Sequence, residues 1–277
     1  MISAHQALIS LGLKLGYTDK MEGLCRGTTL RFLEACLLGE QDKFIRRVNT
    51  IAKTSGLDVL INQVKEKVKQ QKTLTPDDLD LLEILSFYDS LILYQNPRYY
   101  AHVFNETYIN QENIDSISRL ACSDGIQAEG GLTTIYSESN SYTKNKISDY
   151  LRDIQSIISA NGMPPENYLG ILLSSHNHAI GLFYQVECRK WIVMDINQWP
   201  PYEITPILGF QNEIGSLFDI TLVNPMDLIS EKILLAFEDK YFIAFNTTII
   251  TTNVRKTVSI RLATLLTAAH NFDLSLK

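Results

Sequence analysis

Apolar residues recur at helical spacing through the first half of the chain. Leu30, Leu33 and Leu37 fall at i, i+3 and i+7, with Phe32 and Cys36 beside them. So broad an apolar face predicts a helix buried on most sides. It starts at or just after Cys25 and stops near Gly39. "EQDKFIRRVNTIAK" predicts an amphipathic helix with Phe44, Val48 and Ile51 inward. "LDVLINQVKEKVKQ" predicts another, with Leu57, Leu60, Ile61 and Val64 inward. "TPDDLDLLEILSFYDSLILYQNP" opens with a threonine cap and an acidic first turn, and stops at Pro97. Asn110 to Ser141 is polar and glycine-bearing, and reads as loop with one short strand. "TKNKISDYLRDIQSIISANG" predicts a further helix that ends at Gly162.

Beyond Gly162 the period changes. "YLGILLSS", "HAIGLFYQVE" and "WIVMDIN" are short, rich in β-branched and aromatic residues, and separated by turn-forming residues. Ile180, Leu182, Tyr184 and Val186 alternate with a period of two. "DITLVN" and "KYFIAFNTTIITTN" read as later strands. Helices first and an antiparallel sheet afterwards is the α+β pattern. Two lobes with a cleft between them are expected.

Composition narrows the function classes. The chain has 277 residues, 45% of them hydrophobic and 20% charged, with a net charge of −6. An acidic chain of pI about 5.4 is not built to coat nucleic acid or to bind an anionic membrane surface. The N-terminal stretch has no basic region and its apolar run is broken by His5 and Gln6, so a cleavable signal peptide is not expected. Asn167 to Val186 carries no charged residue, but the polar run "SSHNH" in its middle argues against a membrane span. Four cysteines, Cys25, Cys36, Cys122 and Cys188, are widely spaced without a C-x-x-C pair. That spacing suits reduced thiols better than zinc or a disulfide framework. No cofactor motif is present: there is no glycine-rich phosphate loop, no dinucleotide fingerprint and no G-x-S-x-G elbow.

Candidate chemistry centres on "MEGLCRGTTLRFLEACLLGE". A cysteine at a helix start lies near the positive end of the dipole, with Arg26 adjacent, and both favour the reactive thiolate. Gly23 and Gly27 permit tight turns and leave room for an approaching backbone. Cys36, inside the apolar face, reads as core. A cysteine nucleophile needs a base and an orienting group. Of five histidines, His176 and His178 open a strand, and Asp195 and Asn197 lie on the next one. A tight hairpin centred on Arg189 would favour Asn197; a centre near Glu187 leaves the two open.

"GLCRG" with the following helix, "HAIGLFY" and "WIVMDINQW" together resemble the papain-like cysteine proteases. The resemblance is closest to the bacterial effector branch typified by YopT and AvrPphB, and to related domains in effectors of intracellular bacteria such as Legionella and Coxiella. It implies a single catalytic domain over 1–277 with a helical insertion at about 57–141, a buried helix starting at the cysteine, and a C-terminal sheet lobe. Carried across by position, Cys25 is the nucleophile, His178 the base, and Asp195 the residue that holds the His178 ring. Asn197 is the alternative third member. The family places a glutamine shortly before the cysteine to bind the oxyanion; "LGYTDKMEGLC" has none. The implied activity is cleavage of a peptide or isopeptide-type bond, with acyl transfer of the transglutaminase type open. The implied partner is a host-cell protein, met after translocation from the bacterial cytoplasm. No cofactor, nucleic acid or integral membrane contact is implied. A catalytically silent scaffold that binds a host protein is the other expectation.

Overall fold

The computed structural model describes residues 2–17, 23–160, 169–205, 224–238, 241–255 and 264. In chain order the helices and strands are α1 (Ala4–Lys14), α2 (Cys25–Leu37), α3 (Gln41–Lys53), α4 (Leu57–Lys69), α5 (Pro76–Gln95), α6 (Ile114–Ala121), α7 (Asp124–Ala128), β1 (Leu132–Thr143), α8 (Lys144–Ala160), β2 (Gly170–Ser174), β3 (Ala179–Gln185), β4 (Lys190–Met194), β5 (Tyr202–Ile204), α9 (Pro225–Ala236) and β6 (Phe242–Thr252). The fold is α+β, and the strands form one sheet in the order β1-β6-β2-β3-β4-β5, with every pair antiparallel.

The sheet is the middle of three layers. Leu172, Ala179, Phe183, Ile192, Met194 and Ile250 face one core, which they share with α1 to α6. Ile171, Leu173, Ile180, Leu182, Trp191, Val193 and Ile249 alternate with them and face a second core built with α8 and α9. Successive side chains of a strand point to opposite faces. A sheet covered on both sides is therefore apolar at nearly every position, as β3 is.

Most predicted helices form for the reasons that predicted them. Thr75 caps α5 by accepting from Asp78 N–H, and the Asp78 carboxylate accepts from Thr75 N–H in return. Phe44, Val48 and Ile51 are the buried residues of α3. On α4, Leu57, Ile61 and Val64 turn inward, but Leu60 is 40% exposed, because the buried stripe of this helix is narrower than its apolar content. The 110–141 stretch is not a loop: it holds α6, α7 and most of β1. Its polar residues alternate on the long edge strand, where one side of the β1–β6 ladder is open. Nor does the sheet begin only after the helices, since β1 precedes α8. Within the 57–141 region, α5 packs directly against α2. "DITLVN" falls almost entirely outside the described residues, and Gly162 does so completely.

α2 is the central element. Eleven of its 13 residues are buried. Gly27 lets it approach α5, where a Cβ would collide with the Leu91 carbonyl oxygen. On the sheet side, a Cβ on Gly181 of β3 would crowd Thr29, Leu33 and Phe32. Buried Glu34 is satisfied by Arg31, the Tyr94 hydroxyl and Ser123 N–H. Among the described residues, no helix is long and apolar enough to cross a membrane.

Candidate active site

The N-terminal end of α2 meets one end of the sheet, where β3 begins and β4 stops. Cys25 is the first residue of α2, and its N-cap Leu24 supplies no side-chain cap. The first N–H groups of a helix have no intrahelical partner, and the Cys25 amide is one of these. Gly23 takes φ +69°, and a Cβ there would lie 3.9 Å from the Cys25 sulphur.

His178 enters from the turn between β2 and β3. Ser175 shapes that turn: its N–H donates to His178 O, and its hydroxyl accepts from His178 N–H at 3.3 Å. The His178 ring is paired through Nε2 with Asp195 Oδ1 at 3.0 Å, and the Cys25 side chain acts on the same ring and favours its proton. Burial works against a proton on this ring, but Asp195 and Cys25 outweigh it and raise His178 to about 9. Cys25, His178 and Asp195 are 7%, 8% and 2% exposed. The edge of the His178 ring meets Phe237, just past α9, at 5.8 Å between centroids.

The β3–β4 register pairs Gly181 with Met194 and Tyr184 with Trp191, which places the hairpin centre between Glu187 and Cys188. Continued outward, that register would set Asn197 opposite His178. The chain leaves the strand first, entering a 3-10 turn over Ile196–Gln198 with Asp195 as its cap. Asp195 Oδ1 therefore accepts both from His178 and from Asn197 N–H, the latter at 2.9 Å. The other oxygen, Oδ2, is buried without a partner among the described residues. Asn197 turns its own side chain to His5. The hairpin register alone would have chosen Asn197; the turn pairs Asp195 with His178 instead.

Other candidate residues lie apart. His176 is exposed in the turn and lines a polar cavity of about 440 Å³ with Ser139, Ser141, Ser174 and Asn246. Arg26 does not lie free beside the thiol: its guanidinium donates to Gln111 O at 2.6 Å and faces Glu112 at 3.7 Å. Tyr17 donates to Asp89. Trp199 packs on Phe44 and donates to Asn49, away from the His178–Asp195 pair. Cys36 is core, its thiol pushed well up by burial. Among the described residues, no group of His, Cys, Asp and Glu is placed to hold a metal ion.

Two participants escape the sequence reading. Phe237 comes from a helix the pattern did not single out. His5 sits on α1, which carried a readable signal: a serine at position 3 that caps Gln6 N–H, then Ala4, Leu8 and Leu11 at helical spacing. The arrangement can pass a proton between sulphur and imidazole, hold the imidazolium on a carboxylate, and present a helix N-terminus to a developing oxyanion. Comparison of the chain with family models, with curated proteins and with solved structures finds no match.

Proposed function

We propose that this chain is a thiol-dependent hydrolase or acyl-transfer enzyme with a papain-like division into a helical lobe and a sheet lobe, in which Cys25 is the nucleophile, His178 the base and Asp195 the residue that holds the base. The observation that carries the reading is the buried His178 ring, hydrogen-bonded to Asp195 and raised by the side chain at the first position of a buried helix. The Cys25 sulphur gives its proton to His178 and attacks a carbonyl carbon. The tetrahedral oxyanion forms beside the N-terminal amide of α2. Its collapse expels an amine, which takes the proton back from His178, and leaves a thioester on Cys25. Water or a second amine, deprotonated by His178, then releases the acyl group. A protein or isopeptide substrate, and a role as an effector acting on a host-cell protein, follow from the family resemblance and belong to the same proposal.

A second reading, a partner-binding scaffold without turnover, is favoured by one feature: the segment before Cys25 lacks the glutamine that the resembled family uses at the oxyanion. Losing one such donor costs about 10²–10³ in rate. Iodoacetamide labelling, followed cysteine by cysteine by peptide mass spectrometry from about pH 4 to pH 9, separates the two. Exposed Cys188 is the reference in the same tube. The enzyme reading expects Cys25 to label faster than Cys188 at neutral pH. It also expects that advantage to vanish in His178→Ala, to shrink in Asp195→Asn and to survive in His176→Ala. A Cys25 that labels no faster than Cys188 and ignores His178 leaves the scaffold reading.

A further inference from the structure

His5 closes a ring of contacts around Cys25, His178 and Asp195. Its Nε2 accepts from Leu24 N–H at 3.3 Å, one residue before Cys25. Its Nδ1 meets Asn197 Oδ1 at 2.6 Å. Asn197 N–H holds Asp195, Asp195 holds His178, and His178 returns to Cys25. A single side chain, 19 residues upstream of Leu24 and 192 upstream of Asn197, ties the start of the nucleophile helix to the turn that carries the carboxylate.

Elementary chemistry fixes its protonation state. Leu24 N–H can only donate, so Nε2 must keep its lone pair. A neutral imidazole then carries its hydrogen on Nδ1, and that hydrogen suits Asn197 Oδ1. Only the neutral, Nδ1-protonated ring makes both bonds. A second proton would set an N–H of His5 against an N–H of Leu24.

We infer that His5 is a positioning residue for the Cys25 site and that its protonation opens the ring of contacts, so that the site works only while His5 is neutral. This rests on the thiol-nucleophile reading above. The titratable groups acting on His5 are His178, which opposes a proton there, and Asp195, which favours one. Burial is the larger influence, and the balance holds His5 below its ordinary value of 6.5. Of the charged groups on the helices packed on α1, Asp58 of α4 pairs with Lys14 at the far end of α1, and Lys43 and Arg47 of α3 pair with Glu83; Asp42, Arg46 and Lys53 also lie on α3. Above its titration His5 bridges Leu24 and Asn197. Below it, a cation forms beside the His178 imidazolium and the bridge to Leu24 breaks.

The test uses the full chain and the same cysteine-resolved labelling. His5→Ala is expected to slow Cys25 labelling on the order of tenfold to a hundredfold at neutral pH, the scale of a misplaced reacting group. His5→Gln, whose amide can accept from Leu24 and donate to Asn197 without titrating, should restore the rate to within about threefold. In the wild type an acidic fall in Cys25 labelling should coincide with the His5 titration followed by imidazole ¹⁵N resonances, and those resonances should report the Nδ1–H tautomer at neutral pH. In His5→Gln that fall should be absent. The inference is overturned by an Nε2–H tautomer, by an unchanged acidic fall in His5→Gln, or by wild-type labelling in His5→Ala. If His5→Ala does not fold, the pH profile of His5→Gln decides alone. A Cys25 that responds to His178 but not to His5 sinks this inference and spares the proposed function. A Cys25 that responds to neither sinks both.

Discussion

His178, the candidate base, is the most perturbed of the candidate residues. His178 keeps its proton to about 9 although its ring is buried, because the Asp195 carboxylate and the Cys25 sulphur outweigh the cost of burial. Replacing Asp195 by Asn removes the stronger of these supports. The His178 resonance should then titrate well below 9, moving toward 6.5, as read from imidazole chemical shifts. A titration that stays near 9 would show that Asp195 does not hold the ring. His5 carries the opposite sign. Its folded value lies below that of the unfolded chain, so the unfolded state binds the extra proton first as pH falls. The stability His5 contributes is present above about 6.5 and is lost as pH drops through its folded value. Urea midpoints measured from about pH 7 to pH 4.5 should fall less steeply in His5→Gln than in the wild type. Equal slopes would show that His5 is not held neutral.

At the scale of the element, everything rests on how α2 is seated. Gly27 faces the Leu91 carbonyl without room for a Cβ, and its N–H donates to Gln95 Oε1 at 3.1 Å. Alanine would be the better helix former by up to about 1 kcal/mol. Inside this contact it must push α2 and α5 apart, and overpacking of this kind costs about 1–3 kcal/mol. Gly27→Ala should therefore lower the urea midpoint and slow Cys25 labelling together, since the helix that moves carries the sulphur at its tip. A Gly27→Ala protein as stable as the wild type would place the close approach elsewhere. The period of 3.6 made α3 and α4 readable, because each buries one face and exposes another; α2 showed an apolar face on most sides, and α5 announced itself by its cap and its proline stop. The 110–141 stretch was not readable in this way. The polar residues of β1 sit on an edge strand with one open side, and polar alternation there imitates loop. α1 was missed although Ser3, Leu8 and Leu11 announced it.

At the scale of the whole molecule, the described residues build two cores, one on each face of a single sheet, with α2 and the sheet joining them. Each core holds one of the two tryptophans: Trp191 is buried with α8 and α9, and Trp199 packs against the helical core. Because β2, β3 and β4 contribute side chains to both cores, neither can melt and leave the other intact. Trp191→Phe and Trp199→Phe, each leaving one reporter, should show coincident urea transitions, matched by far-ultraviolet circular dichroism. Separate midpoints would mean two independent units. By itself the sequence determined the α+β class, the helices α2 to α5 and α8, and the strands β2, β3, β4 and β6, because periodicity and local turn chemistry are written in neighbouring residues. The tertiary structure alone decided which acidic-strand residue meets His178, and that β1 belongs beside β6. It also brought His5 from the far N-terminus to a place between Leu24 and Asn197. Those outcomes depend on where a strand ends and on which distant elements share a face. No local pattern encodes a contact across 192 positions, and only the packed sheet end brings those groups within hydrogen-bonding distance.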